Sequence, residues 1–103
     1  MADRVIVYWR DIPAQVMVKK GRTNAKRQLS ERFEKAIDRA AMRAKLRDTD
    51  SYLAEWRRGA PEPCGEDLEA EAAAAAERIE SDWSEERLAR AVAAGGIEGG
   101  ESR

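Results

Sequence analysis

The chain contains no histidine and only one cysteine in 103 residues. Without histidine it lacks the commonest general base, the commonest zinc ligand and the usual activator of a nucleophile. Ser-His-Asp and Cys-His catalytic arrangements are therefore excluded. One cysteine cannot close an internal disulfide, which fits a reducing, intracellular setting. Cys64 lies between Pro63 and Gly65, with Glu62 and Glu66 close by in sequence. Acids would raise its pKa, so it reads as an inert, exposed loop thiol. There is no Asp-x-Asp-x-Asp-Gly loop, no P-loop and no dinucleotide spacing around Gly21. Nothing therefore selects a metal or any other cofactor, and the expectation is a protein that is not an enzyme. The longest bulky apolar run, Val5–Trp9, is too short to span a membrane. It also lacks the small-residue cleavage site of a signal peptide, so a soluble, cytoplasmic chain without a membrane partner is expected.

Charge is abundant and unevenly placed. Residues 1–59 hold 15 Lys/Arg against 8 Asp/Glu, whereas residues 60–103 hold 4 against 12. The net charge is −1, but the two halves are of opposite sign, which suggests a basic surface and an acidic arm able to lie against it. The most one-sided segment is Lys19–Arg27, where Lys19, Lys20, Arg22, Lys26 and Arg27 stand without an acid. It is either a solvated loop or a surface for an anionic partner, and nucleic acid or another phosphorylated ligand is one such partner. The acidic pI near 5.6 and the lack of an RNA-binding fingerprint favour a protein partner.

Bulky apolar side chains are scarce, and most lie between Val5 and Trp56. Val5–Trp9 is β-branched and aromatic and predicts a strand. Arg10–Ala14, with Pro13, predicts a five-residue connection, and Gln15–Lys19 a second strand ended by Gly21. Two strands alone are marginal in water. Helices or a second chain must cover them, and the free edges of Val5–Trp9 would suit a homodimer or a hetero-complex. Ser30 predicts the N-cap of a helix from Glu31 to Leu46, with Leu29 and Phe33 as its apolar staple. Leu29, Phe33, Ala36, Ile37, Ala40 and Ala44 share one stripe, and Arg32, Lys35, Asp38, Arg39 and Arg43 form the solvated side. A short helix from Asp48 carries Tyr52, Leu53 and Trp56, with Arg57-Arg58 at its C-terminus and Gly59 as its stop.

Ala60–Gly65 is rich in breakers and marks the main boundary. Beyond it, Glu66–Asp82 predicts a helix with Leu68, Ala72, Ala75, Ile79 and Trp83 on one side. Leu88 and Val92 leave that stripe, so a break is expected at Ser84, which can cap a new helix ending at Ala94-Gly95-Gly96. The fold class is thus α+β: an N-terminal antiparallel β-hairpin covered by three to four α-helices. Residues 1–94 form one domain, with 66–94 a weakly docked helical arm, and residues 95–103 a disordered tail. Trp9, Trp56, Arg57 and Arg58 are candidate interface residues, because Trp and Arg are enriched at hot spots.

Several segments taken together resemble a known family. These are Tyr8-Trp9-Arg10-Asp11-Ile12-Pro13-Ala14-Gln15-Val16, Lys19-Lys20-Gly21-Arg22, Ala25-Lys26, Leu29, Arg32-Phe33, Ala36-Ile37-Asp38, Ala40-Ala41-Met42-Arg43 and Tyr52-Leu53-Ala54-Glu55-Trp56. They are similar to the small bacterial "virulence factor" domain, also found at the C-terminus of conserved virulence factor C proteins. The resemblance covers residues 5–58. It implies an accessory or regulatory protein with no catalytic residues to carry over. It also implies a possible place as an accessory subunit in folate- or corrinoid-dependent methyl transfer.

Overall fold

Three strands precede the first helix. The computed structural model describes residues 2–46 and 48–97. Its elements are β1 (Ala2–Trp9), β2 (Ile12–Lys20), β3 (Thr23–Gln28), α1 (Glu31–Arg43), α2 (Thr49–Ala54), β4 (Trp56–Arg58), β5 (Glu62–Cys64), α3 (Leu68–Asp82) and α4 (Glu85–Ala93). All strand pairs are antiparallel, in the order β3-β2-β1-β4, and β5 pairs with β1. The class is α+β, an N-terminal antiparallel sheet followed by four helices.

The sheet is larger than the predicted hairpin. Thr23–Gln28, read as a loop, is the edge strand β3. Only Ala25 in it is buried, so an apolar/polar alternation could not reveal it. The connection to it is the two-residue turn Gly21-Arg22, with Gly21 at a φ of 60°. Glycine at the first central position is the pattern of a type II′ hairpin. The first hairpin is tighter too: Arg10-Asp11 alone connects β1 to β2, and Pro13 lies inside β2 opposite Tyr8. The register skips Ala14 there, and such an irregularity tolerates a residue without an N–H. Trp56–Arg58 is a strand rather than the end of a helix, and Glu62–Cys64 forms a strand within the expected loop. β4 and β5 occupy the edge of β1 that the homodimer expectation left open. β1 is an interior strand and offers no edge to a second chain.

Directly paired residues share a face of the sheet. On one face stand Val18, Ala25 and Arg4, then Val16, Ile6 and Arg27, then Pro13, Tyr8 and Arg57. α3 covers this face with Ala72, Ala75 and Ala76, all buried. Small side chains let its backbone approach the sheet closely, so the alanine run belongs to the core and is not a weakly docked arm. Leu68, Ile79 and Trp83 complete the stripe as expected. The chain breaks at Ser84, whose hydroxyl accepts the Arg87 N–H at 3.1 Å and caps α4. α4 buries Leu88 and Ala91 and packs on α1, which contributes Phe33, Ala36, Ile37, Ala40 and Ala41.

The C-terminal turn also belongs to the fold. Gly95 N–H bonds Val92 O and Gly96 N–H bonds Ala91 O, a Schellman motif, with Gly95 at a φ of 74°. Gly96 O then accepts the Asp11 N–H at 2.8 Å. The disordered tail expected from residue 95 therefore begins too early, and its remainder, 98–103, lies outside the described residues. No helix among the described residues is long and apolar enough to cross a membrane.

Candidate functional site

The register divides the five cations of Lys19–Arg27. Lys20 and Arg27 belong to the face that α3 covers, while Lys19 and Lys26 belong to the other, and Arg22 occupies the turn. Lys20 pairs with Glu66, just before α3, and this bond holds the Glu66 carboxyl below its usual range. Arg27 lines an open groove with Gln28, Ser30, Ala76, Glu77 and Glu80. Among the described residues, Lys19, Arg22, Lys26 and Arg27 make no ion pair. The sequence treated the segment as one patch. Only the strand register, set by a two-residue turn, shows that it has two sides.

The face turned away from α3 carries the ladders Asn24–Lys19–Asp3, Lys26–Met17–Val5 and Gln28–Gln15–Val7–Arg58. Arg58, from a different part of the chain, thus joins Lys19 and Lys26. It has no ion pair among the described residues. Val5 and Met17 are nearly buried yet stand outside the main hydrophobic cluster. These ladders surround a buried apolar pair with cations and amides, Asp3 being their one acid, and the same face continues in the ladder Ile12–Trp9–Trp56.

The other interface candidates have different fates. Trp9 is fully buried, its ring 5.7 Å from that of Tyr52 and its indole N–H donated to Tyr52 O at 3.0 Å. It is a core residue and cannot serve as a contact surface. Arg57 is used internally: Nε donates to Arg10 O at 2.9 Å, Nη2 lies 3.2 Å from Asp11, and the guanidinium lies over Tyr8. Trp56 remains half-buried, its ring 6.2 Å from Tyr52 at an interplanar angle of 81°. Both rings line a cavity of about 260 Å³ with Ala14, Gln28, Leu29, Ile37, Glu34 and Asp38. The sequence missed this cavity, since Asp38 reads as part of a solvated helix side. The available signal was the i,i+4 pair Glu34/Asp38 on α1; Trp56 lies in β4, beyond α2, so no helical spacing joins it to Tyr52.

Elsewhere the charges are satisfied within the fold. Ser30 sits at the N-cap position of α1 without capping it. Its N–H and hydroxyl instead donate to the Glu80 carboxylate at 2.6 and 2.9 Å, and Arg32 adds bonds at 3.3 Å and to Glu80 O at 2.8 Å. Burial pushes the Glu80 carboxyl up, but the Ser30 and Arg32 hydrogen bonds outweigh it and hold the group below its usual range. Cys64 is half-buried in β5 opposite Ala2, not in an exposed loop. Burial and the nearby Glu71 charge push its thiol up. Among the described residues no three His, Cys, Asp or Glu side chains gather as metal ligands.

These features define a small α+β domain with helices packed on an antiparallel sheet, whose face away from α3 carries cations that are unpaired among the described residues. The chain belongs to the virulence factor family, whose model matches residues 7–92. The match runs well past residue 58, as the packing of α3 into the sheet requires. No curated protein and no solved structure matches the chain.

Proposed function

We propose that this chain is a non-catalytic accessory or regulatory protein that docks an acidic partner protein on the sheet face turned away from α3. The observation that carries this reading is that Lys19, Lys26 and Arg58, from two separate segments, share that face and make no ion pair among the described residues, with Asp3 opposite Lys19 the acid on their ladders. Val5 and Met17 on the same face are buried and offer a partner little apolar surface, so the docking rests on the cations and amides around them. A nucleic-acid reading fits less well. The same face continues in the ladder Ile12–Trp9–Trp56, but Trp9 is fully buried and Trp56 alone is partly exposed, whereas single-strand binding relies on successive stacking platforms. An enzyme of folate- or corrinoid-dependent methyl transfer is one form the acidic partner would take.

The test compares K19E/K26E/R58E with the control R39E/R43E, which reverses two charges on α1. Each full-length protein is used to capture partners from cells that express the native chain, at increasing salt. A specific partner is lost with the first variant, kept with the second, and released as salt screens the pair. Equal capture by both variants defeats the proposal. So does a salt-sensitive gel shift with a single-stranded RNA at about 50 mM salt that the wild type gives and K19E/K26E/R58E does not.

A further inference from the structure

The cavity beside Trp56 has a different chemistry from the basic face. Its rear is apolar, formed by Ala14 of β2, Leu29 and Ile37. Two of its walls are the rings of Tyr52 and Trp56, nearly perpendicular and 6.2 Å apart. Its rim carries Glu34 and Asp38, one helical turn apart on α1. Neither carboxylate has an ion pair among the described residues, although α1 also carries Arg32, Lys35, Arg39 and Arg43. Like charges at i,i+4 weaken a helix slightly. No lysine or arginine lines the cavity. Glu34 and Asp38 act on the Tyr52 phenol, whose pKa burial raises first and these charges raise further.

From this geometry we infer that the cavity between α1, α2 and β4 binds a small organic cation of the alkylammonium class. The aromatic ring faces are electron-rich and attract a weakly hydrated cation, and both rings line the cavity. The carboxylates supply the countercharge, and the apolar rear receives the alkyl groups. At about 260 Å³ the space lies just below the ~300 Å³ at which drug-sized pockets begin. It suits a cation of a few heavy atoms. The site does not depend on the basic sheet face, and neither proposal falls with the other.

The experiment follows the indole N–H resonances of the full chain by NMR during titration. The probes are tetramethylammonium, n-butylammonium and the neutral tert-butanol. Trp56 should shift with a cation and not with the alcohol, with at least about tenfold tighter binding for the charged probe. A preference for tetramethylammonium assigns recognition to the ring faces, and one for n-butylammonium to N–H donation onto Glu34 and Asp38. Both support the site. The variant E34Q/D38N lies on the exposed side of α1, so it should keep the wild-type melting temperature while losing the charged probes. The inference is overturned if the alcohol binds as well as the cations, if neither cation moves Trp56, or if the folded E34Q/D38N binds them unchanged.

Discussion

The β1–β2 pair ends in two very different turns. At one end, Arg10 adopts a φ of 53°, a left-handed conformation that disfavours a residue with a side chain. It is held from several sides. Its N–H bonds Glu55 O at 3.0 Å, its Nη1 bonds Gly95 O at 3.0 Å, and its guanidinium lies over Trp9. Its Nε is 3.1 Å from Glu55, an ion pair without hydrogen-bond alignment. At the other end of β2, Gly21 takes a similar φ of 60°, and nothing lies within 4 Å of where a Cβ would stand. One turn spends its charges on the fold, tying β1, α2 and the C-terminal turn together. The other leaves most of them unpaired, since among the described residues only Lys20 is in an ion pair. Where cations stabilise structure they are unavailable to a partner, and the proposed docking face draws instead on cations that do not: Lys19 and Lys26 toward this turn, and Arg58 opposite Val7.

The largest effects should come from the tied end. Trp9→Ala removes the largest fully buried side chain and should cost about 3–5 kcal/mol. That is a large share of the roughly 5–15 kcal/mol that stabilises a domain of this size. Gly96→Ala should also be severe: the new Cβ would stand 2.7 Å from Trp9 Cζ3, at a φ of 95°. Gly21→Ala should lose only about 1 kcal/mol, the penalty of the left-handed backbone alone. Thermal or denaturant unfolding of the three variants checks the order. If Gly21→Ala proves as damaging as Gly96→Ala, the contrast between the ends is wrong.

An intermediate effect belongs to Glu80, which ties α3 to the start of α1. Glu80→Gln removes a charged acceptor from Ser30 and Arg32 and should cost about 1–3 kcal/mol near neutral pH. The lower part of that range applies, because the side chain keeps 32% of its exposure. The pH dependence has a definite sign. The folded pKa is lowered from 4.5, so the unfolded chain binds the proton more readily. The contribution is complete above about pH 4.5 and lost as pH falls through the folded value. Unfolding curves measured from pH 7 to pH 3 should converge for wild type and Glu80→Gln at the acid end. A constant gap across that range would remove the carboxylate from this role.

Periodic apolar segments were legible in the sequence. The α1 stripe, the Leu68–Trp83 stripe and the break at Ser84 all stand where hydrophobic spacing puts them. Polar strands were not. β3 buries one alanine, and β4 and β5 have three residues each, so their existence depends on pairing with β1 and β2 rather than on their own pattern. Ser30 carried a capping signal, but a long-range carboxylate from Glu80 takes its hydroxyl. The candidate site shared this limit. Lys19 and Lys26 were visible as charges, whereas their alignment with Arg58 required the register of four strands. The cavity at Trp56 needed α1, α2 and β4 together.

The smallest effect sharpens the comparison most. The variant K19Q/K26Q/R58Q removes three positive charges from the face away from α3 and no ion pair among the described residues. Surface changes of this kind usually stay within about 0.5 kcal/mol each. Gln also keeps part of the aliphatic stem. This matters because Lys26 stands opposite Met17, and long side chains shelter apolar neighbours while their charged heads stay in water. The melting temperature should therefore barely move, and partner capture should weaken as it does in K19E/K26E/R58E. A clear loss of stability would mean that these side chains, like Arg10 and Arg57, hold the sheet together. An unchanged melt with unchanged capture would leave the face folded but idle and move the partner site elsewhere. Only a stable variant that has lost its partner separates cations that dock a partner from those that, like Arg10 and Arg57, hold the fold.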